Sequence, residues 1–160
     1  MYDLAAIITA NVIFWLALNI FGAAAITSFV PQRLYDCHNA IFKERPFEQT
    51  LYRIIRINVW KDKLPIFRLN DKMFDRKRLS KDISIEYIDM FIIETCKAEF
   101  VHLAILLLGF FSAAFVFLEI EPLYVFFVVN ALMFCVHLPF IFTQRFNRRR
   151  LLKLRRHYKK

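Results

Sequence analysis

Apolar and polar positions alternate along the chain in blocks much longer than a helical turn. Three stretches carry no Asp, Glu, Lys or Arg: residues 4–30, 101–118 and 123–142. At about 1.5 Å per residue each crosses an apolar layer of roughly 30 Å, the middle one only just. The pattern predicts an all-α integral membrane protein with three transmembrane helices, about 4–30, 98–118 and 123–143. Ala23, Ala24 and Ala25 resemble a signal-cleavage site. No Lys or Arg precedes the first stretch, however, and its uncharged length exceeds a typical signal core, so a retained span is favoured.

The segments between the spans follow other periods. Over residues 49–64, Leu51, Ile54, Ile55, Asn58 and Val59 fall on one side and Arg53, Arg56 and Lys63 largely elsewhere. This predicts an amphipathic helix lying in the interface plane, with Trp60 at headgroup depth. Pro65 ends it, and residues 66–82 read as a basic, partly ordered loop. Ser84, followed by Tyr87 and Asp89, suits a helix start. A helix over 84–118 would be about 52 Å long, so residues 84–97 form a polar, cytoplasmic extension of the second span. Glu119, Glu121 and Pro122 make a tight turn into the third span, and Pro139 marks a kink site near its end.

Composition narrows the class. The chain has 160 residues, is 58% hydrophobic and contains two glycines, which excludes an ordinary soluble domain and suits a single membrane domain over 1–160. The net charge of +9 is distributed unevenly. Lys and Arg occur only in the loop 31–97 and in the basic tail 144–160, with none before residue 31 and none in the turn EIEP. The positive-inside bias places the N-terminus and that turn outside and the loop and tail in the cytoplasm, for a multi-pass protein of the cell membrane. The tail segment QRFNRRRLLKLRRHYKK holds nine cations and no acid. At about 1 kcal/mol per cation near anionic leaflet lipids, membrane attachment explains it without nucleic acid. Cys37, Cys96 and Cys135 are odd in number, so no disulfide framework is expected. No second Cys/His pair stands at zinc spacing from Cys37 and His38, and no metal is expected.

Candidate chemistry gathers where polar residues meet the spans. Thr95, Glu99 and His102 share one helical stripe, with Glu94 more than a quarter turn from Glu99. A Glu one turn from an imidazole can fix its tautomer and favour its protonated form, as a general base on a hydroxyl requires. The alternative is an interfacial histidine satisfied by Glu99. Asn130, His137 and Gln144 recur every seven residues on the third span, and Asn11 and Asn19 stand two turns apart on the first. Polar groups in hydrocarbon normally face the bundle interior, so these stripes are expected to converge, and interhelical hydrogen bonding alone would account for the asparagines. In WKDKLP, Lys61 and Lys63 suit either phosphate binding or snorkelling to headgroups. Glycine-rich phosphate loops, GxSxG and the His-x4-Asp of common glycerolipid acyltransferases are all missing.

Taken in order, WKDKLP, IIETCKAEFVH and LPFIFTQRFNRRRL resemble the glycosyl-4,4'-diaponeurosporenoate acyltransferases of staphyloxanthin-type carotenoid pathways, over about residues 52–152. The family pattern falls on Trp60, Lys61 and Lys63, on Glu94, Thr95, Ala98, Glu99 and His102, and on Pro139, Gln144, Arg145, Asn147, Arg148, Arg150 and Leu151. His137 stands where the family usually has Asn, Arg149 where it usually has Pro, and IFRLND departs from the usual continuation. The resemblance implies transfer of a fatty acyl group from an acyl thioester, as coenzyme A or acyl carrier protein, to a hydroxyl of a membrane glycolipid, with no cofactor. In that scheme His102, Glu99 and Glu94 are catalytic. Trp60, Lys61, Lys63, Asn130, His137, Gln144, Arg145, Asn147 and Arg148 contact substrate. A small non-enzymatic membrane subunit docking on a larger enzyme is the alternative, and three spans give so little wall that a homo-oligomer or larger complex is also expected. A proton-linked transporter using Glu99, His102 and His137 is weaker, because the carboxylates lie outside the hydrophobic core.

Overall fold

The computed structural model describes residues 2–65 and 84–158; the basic loop expected over 66–82 lies outside the described residues. The described chain is helical, and three helices are long and apolar enough to cross a membrane. Helix α1 is Leu4–Phe29. Asp3 caps it, its carboxylate accepting the Ala5 N–H at 3.0 Å, and a π-turn occupies Leu18–Gly22. Two short helices follow, α2 over Glu48–Ile54 and α3 over Ile57–Trp60. Helix α4 is Ile85–Phe117 and α5 is Leu123–Tyr158. The first turn of α4 is capped as its sequence predicts, with the Ser84 hydroxyl accepting the Tyr87 N–H at 3.1 Å.

The amphipathic segment 49–64 differs from the single helix its period predicts. It breaks at Arg56, which adopts left-handed backbone at φ 49°, and ends in a 3-10 turn over Lys61–Lys63. The break frees the Ile55 carbonyl, and the Trp60 indole N–H donates to it at 2.8 Å. Ile54 and Val59 stay exposed, while Glu48, Tyr52 and Ile57 are buried. The third span also continues further than its apolar stretch. With no helix breaker after Pro139, α5 carries the arginine-rich tail as helix to Tyr158.

The chain forms two compact units, each drawing on α4 and α5. One comprises Met1–Pro31 and Phe100–Pro139, the other Gln32–Glu99 and Phe140–Lys160. On α5 the division falls at Pro139, whose missing N–H and bulky ring weaken the helical ladder. In the first unit, the Trp15 ring lies directly over Gly109, where any Cβ would overlap it. Phe14 meets Phe115 edge to face at 5.6 Å. Ile8, Val12, Ile13, Leu16 and Phe21 are exposed, as the lipid-facing side of a span should be. The second unit has its own apolar core of Ile88, Phe91, Ile92 and Leu151, with Cys37, Leu152 and Leu154 packed against it. Tyr52 meets Phe146 edge to face at 5.4 Å.

Candidate functional site

Two clusters, one per unit, gather some of the polar residues singled out in the sequence. In the first unit, Nδ1 of His102 on α4 faces Nδ1 of His137 on α5 at 2.9 Å, with the rings edge to face. His137 is buried, and its Nε2 has no hydrogen-bond partner among the described residues. Two imidazoles that meet nitrogen to nitrogen require one N–H and one lone pair, so the contact holds a single proton. Asn130 joins α5 to α4 differently, its amide donating to the Ser112 hydroxyl at 3.1 Å and to its own Phe126 carbonyl at 2.9 Å.

The first unit also contains a contact that sequence reasoning missed. Glu121, expected in an external turn, is fully buried, and the Asn11 amide of α1 donates to it at 2.6 Å. Asn19 instead donates to the Trp15 carbonyl of its own helix at 2.8 Å. The turn tightens because Glu119 takes left-handed backbone at φ 57° and the Ile120 and Glu121 N–H groups both donate to the Phe115 carbonyl.

The second unit is built around Glu99, which is fully buried. Arg145 donates to one carboxylate oxygen at 2.7 Å, and Arg148 donates to the other. Both arginines come from α5 and are spaced i, i+3, which brings them to the same face. Both outer nitrogens of Arg145 bond twice: it also reaches Glu48 at 2.7 Å and the carbonyls of Ile41 and Lys43 at 3.0 and 2.9 Å. Glu48 in turn accepts the Tyr52 hydroxyl at 2.9 Å and the Arg45 N–H at 3.1 Å. Burial and the hydrogen bond to Glu48 hold the Tyr52 phenol well above its ordinary range. Arg148 donates to the Cys96 sulfur at 3.5 Å and lies over the Phe42 ring. Beside this network is a cavity of about 330 Å³, lined by Lys43, Glu44, Glu48, Arg145, Arg148, Arg149 and Arg156 among others.

The remaining sequence candidates are dispersed. Glu94 stands about 4.0 Å from Lys97 on its own helix. Lys61 pairs with the adjacent Asp62 at 2.6 Å, and Lys63 is exposed. Gln144 and Asn147 are half-buried on α5. Asp36, Cys37 and His38 bring one potential metal ligand each within 4.8 Å of one another. Burial and Asp36 hold the Cys37 thiol above its ordinary range, which keeps it protonated and a poor ligand at neutral pH. Glu48, Tyr52 and Lys43 were missed because they belong to a loop and a short helix whose folding partners are distant in sequence. The i, i+4 spacing of Glu48 and Tyr52 was the available signal.

Fold and site together define a multi-pass, all-helical membrane protein with a histidine pair among its spans and a buried arginine–carboxylate network. Residues 38–157 match the sequence family described as glycosyl-4,4'-diaponeurosporenoate acyltransferase, and the chain belongs to that family. A relative in Staphylococcus haemolyticus (strain JCSC1435) with that same description is 33% identical over 101 residues, covering 62% of this chain and 54% of the relative. The chain thus spans about half the length of the curated relative it matches. No solved structure matches.

Proposed function

We propose that the protein transfers a fatty acyl group from an acyl thioester, carried by coenzyme A or acyl carrier protein, to a hydroxyl of a membrane glycolipid. A glycosylated carotenoid acid, the acceptor in the family's description, is the first acceptor to try. The observation that supports this reading is the His102–His137 contact within an apolar unit of an acyltransferase-family chain. Of the two tautomers it allows, one makes chemical sense for a base. His102 donates Nδ1–H to His137, and its own Nε2 lone pair takes the proton of the acceptor hydroxyl. The oxygen then forms the C–O bond as the C–S bond breaks, and the proton passes from Nε2 to the departing thiolate. His137 stabilises the transient imidazolium through the Nδ1 contact, a role that acidic partners play in hydrolase triads. The sequence assigned orientation of His102 to Glu99; the two arginines on Glu99 instead suit a structural anchor, and His137 supplies the orienting acceptor. The N-terminus is proposed to lie outside and the basic tail in the cytoplasm of the cell membrane, where the thioester donor would be found.

The test uses the full chain in membranes with acyl-coenzyme A and glycosylated carotenoid acid, following acylated product and free thiol. His102→Ala should abolish both. His137→Leu should lower the rate by about 10²-fold or more, the scale of a general acid–base contribution, whereas His137→Asn should retain most of it. Wild-type turnover in well-folded His102→Ala would refute the assignment. If wild-type protein gives no product while a partner co-purifies at equal stoichiometry, the non-enzymatic subunit is the better reading.

A further inference from the structure

The cavity of the second unit contains more positive charge than its own carboxylates balance. Five cations line it: Lys43, Arg145, Arg148, Arg149 and Arg156. Glu44 and Glu48 line it as well, and Glu99 lies behind it on Arg145 and Arg148. Five cations against three carboxylates leave two charges over, and a phosphomonoester carries about −1.5 to −2 at neutral pH. The volume of about 330 Å³ lies at the small end of ligand sites.

The cations are also arranged unequally. Arg145 and Arg148 are locked by carboxylates, carbonyls and the Phe42 ring, so they form a rigid positive floor. Arg149 pairs with Glu44 by charge, its Nε lying 2.9 Å from the carboxylate and making no hydrogen bond among the described residues, so its fork is not locked in place. Lys43 and Arg156 are exposed and make no ion pair among the described residues. Lys43 is nevertheless fixed at its backbone, because Arg145 donates to its carbonyl. A charged floor with additional donors at the opening is an arrangement for an incoming anion.

We propose that this cavity is a phosphomonoester site, with Lys43, Arg149 and Arg156 as the ligand-binding residues and Arg145 and Arg148 as its fixed support. The same phosphate chemistry occurs in the 3'-phosphate of coenzyme A and in the headgroup of phosphatidate. We assign it to the coenzyme A-type donor; that assignment rests on the acyl-transfer reading, whereas the phosphate site does not.

Equilibrium binding separates the two, using the full chain in phosphatidylcholine nanodiscs with coenzyme A, 3'-dephospho-coenzyme A or added phosphatidate as probes and no turnover measured. Coenzyme A should bind at least tenfold more tightly than its dephospho form, with affinity falling as salt rises. The Lys43→Gln/Arg156→Gln double variant should lose about tenfold or more of that affinity, as expected for lost charge-assisted hydrogen bonds, at an unchanged thermal midpoint. Equal binding of the two coenzymes, with phosphatidate binding still weakened in the double variant, would overturn the donor assignment and keep the site as a headgroup site. Unchanged binding of every phosphate probe in the double variant would overturn the site itself.

Discussion

Glu99 is the residue at which a catalytic and an architectural role predict opposite stability data. Replacing Glu99 by Gln keeps its shape and removes its charge, leaving Arg148, whose side chain is 3% exposed, buried without a counter-charge. Arg145 suffers less, because Glu48 still holds it at 2.7 Å. Removing one partner of a buried ion pair costs about 3–5 kcal/mol, mostly from the charge left behind. At about 2–4 °C per kcal/mol for a chain of this size, the midpoint should drop by roughly 6–20 °C. Arg145→Gln should cost less, since Glu99 keeps Arg148. A Glu99→Met/Arg148→Met double variant should be less destabilised than the sum of the two single changes, by about 1–3 kcal/mol of coupling. The assay is thermal unfolding of the full chain in detergent, followed by helical circular dichroism. A Glu99→Gln variant that unfolds at the wild-type midpoint would refute the anchoring argument and return Glu99 to the chemistry.

Three further outcomes follow from named contacts. Gly109→Ala puts a Cβ into the Trp15 ring and should destabilise the first unit by about 1–3 kcal/mol, with recovery in the Trp15→Leu background where the ring is absent; the same unfolding assay reads both. Tyr52→Phe should cost about 1–2 kcal/mol by leaving a Glu48 oxygen without its hydroxyl donor. Because the folded phenol is held above its ordinary value of 10.0, the unfolded chain ionises first, so wild-type stability should fall as pH rises beyond about 10 and the Phe variant should lack this component. Burial and Asp36 push the Cys37 thiol up, so its alkylation by iodoacetamide should be slower at neutral pH than that of a free thiol and accelerate only above the usual thiol range, read by mass of the modified peptide.

Much of the architecture was legible because long uncharged runs leave few alternatives. A stretch of twenty apolar residues must satisfy its own backbone in lipid, so helix follows directly. Boundaries were harder where one helix changes environment. The third span was bounded at its last apolar residue, yet nothing in QRFNRRRLLKLRRHY breaks a helix, and α5 continues through it. The amphipathic segment shows the converse. Its period was read correctly as helical, but the break at Arg56 depends on burying Ile57 and on the Trp60 indole, neither of which a period encodes. In the candidate sites, residue types were legible and pairings were not. Glu99 and His102 are neighbours in the sequence motif, but the partners that define Glu99 lie 46 and 49 residues away on α5. In the basic tail the family pattern singles out Arg145, Arg148 and Arg150, and the remaining cations read as a charge run. On a helix, Arg145, Arg148, Arg149 and Arg156 form one stripe, and that stripe lines a cavity.

Position 137 shows why a departure from a family pattern need not change the chemistry at that point. In the resemblance, Asn is usual there and this chain has His137. The two side chains agree up to the atom that matters: Oδ1 of Asn and Nδ1 of His are each attached to Cγ. The contact His102 makes is with Nδ1 of His137 at 2.9 Å. An asparagine rotated to present Oδ1 at that position would accept the same N–H and favour the same His102 tautomer. What the imidazole adds lies beyond Cγ, in a buried Nε2 with no partner among the described residues. With the tautomer that lets His102 act as a base, that nitrogen carries a proton, so the first unit holds an unused donor farther from Cγ than the amide NH2 of an asparagine would reach. Under the proposed acyl transfer, the substitution keeps the orienting bond and moves a donor outward from Cγ, which assigns its effect to acceptor selection.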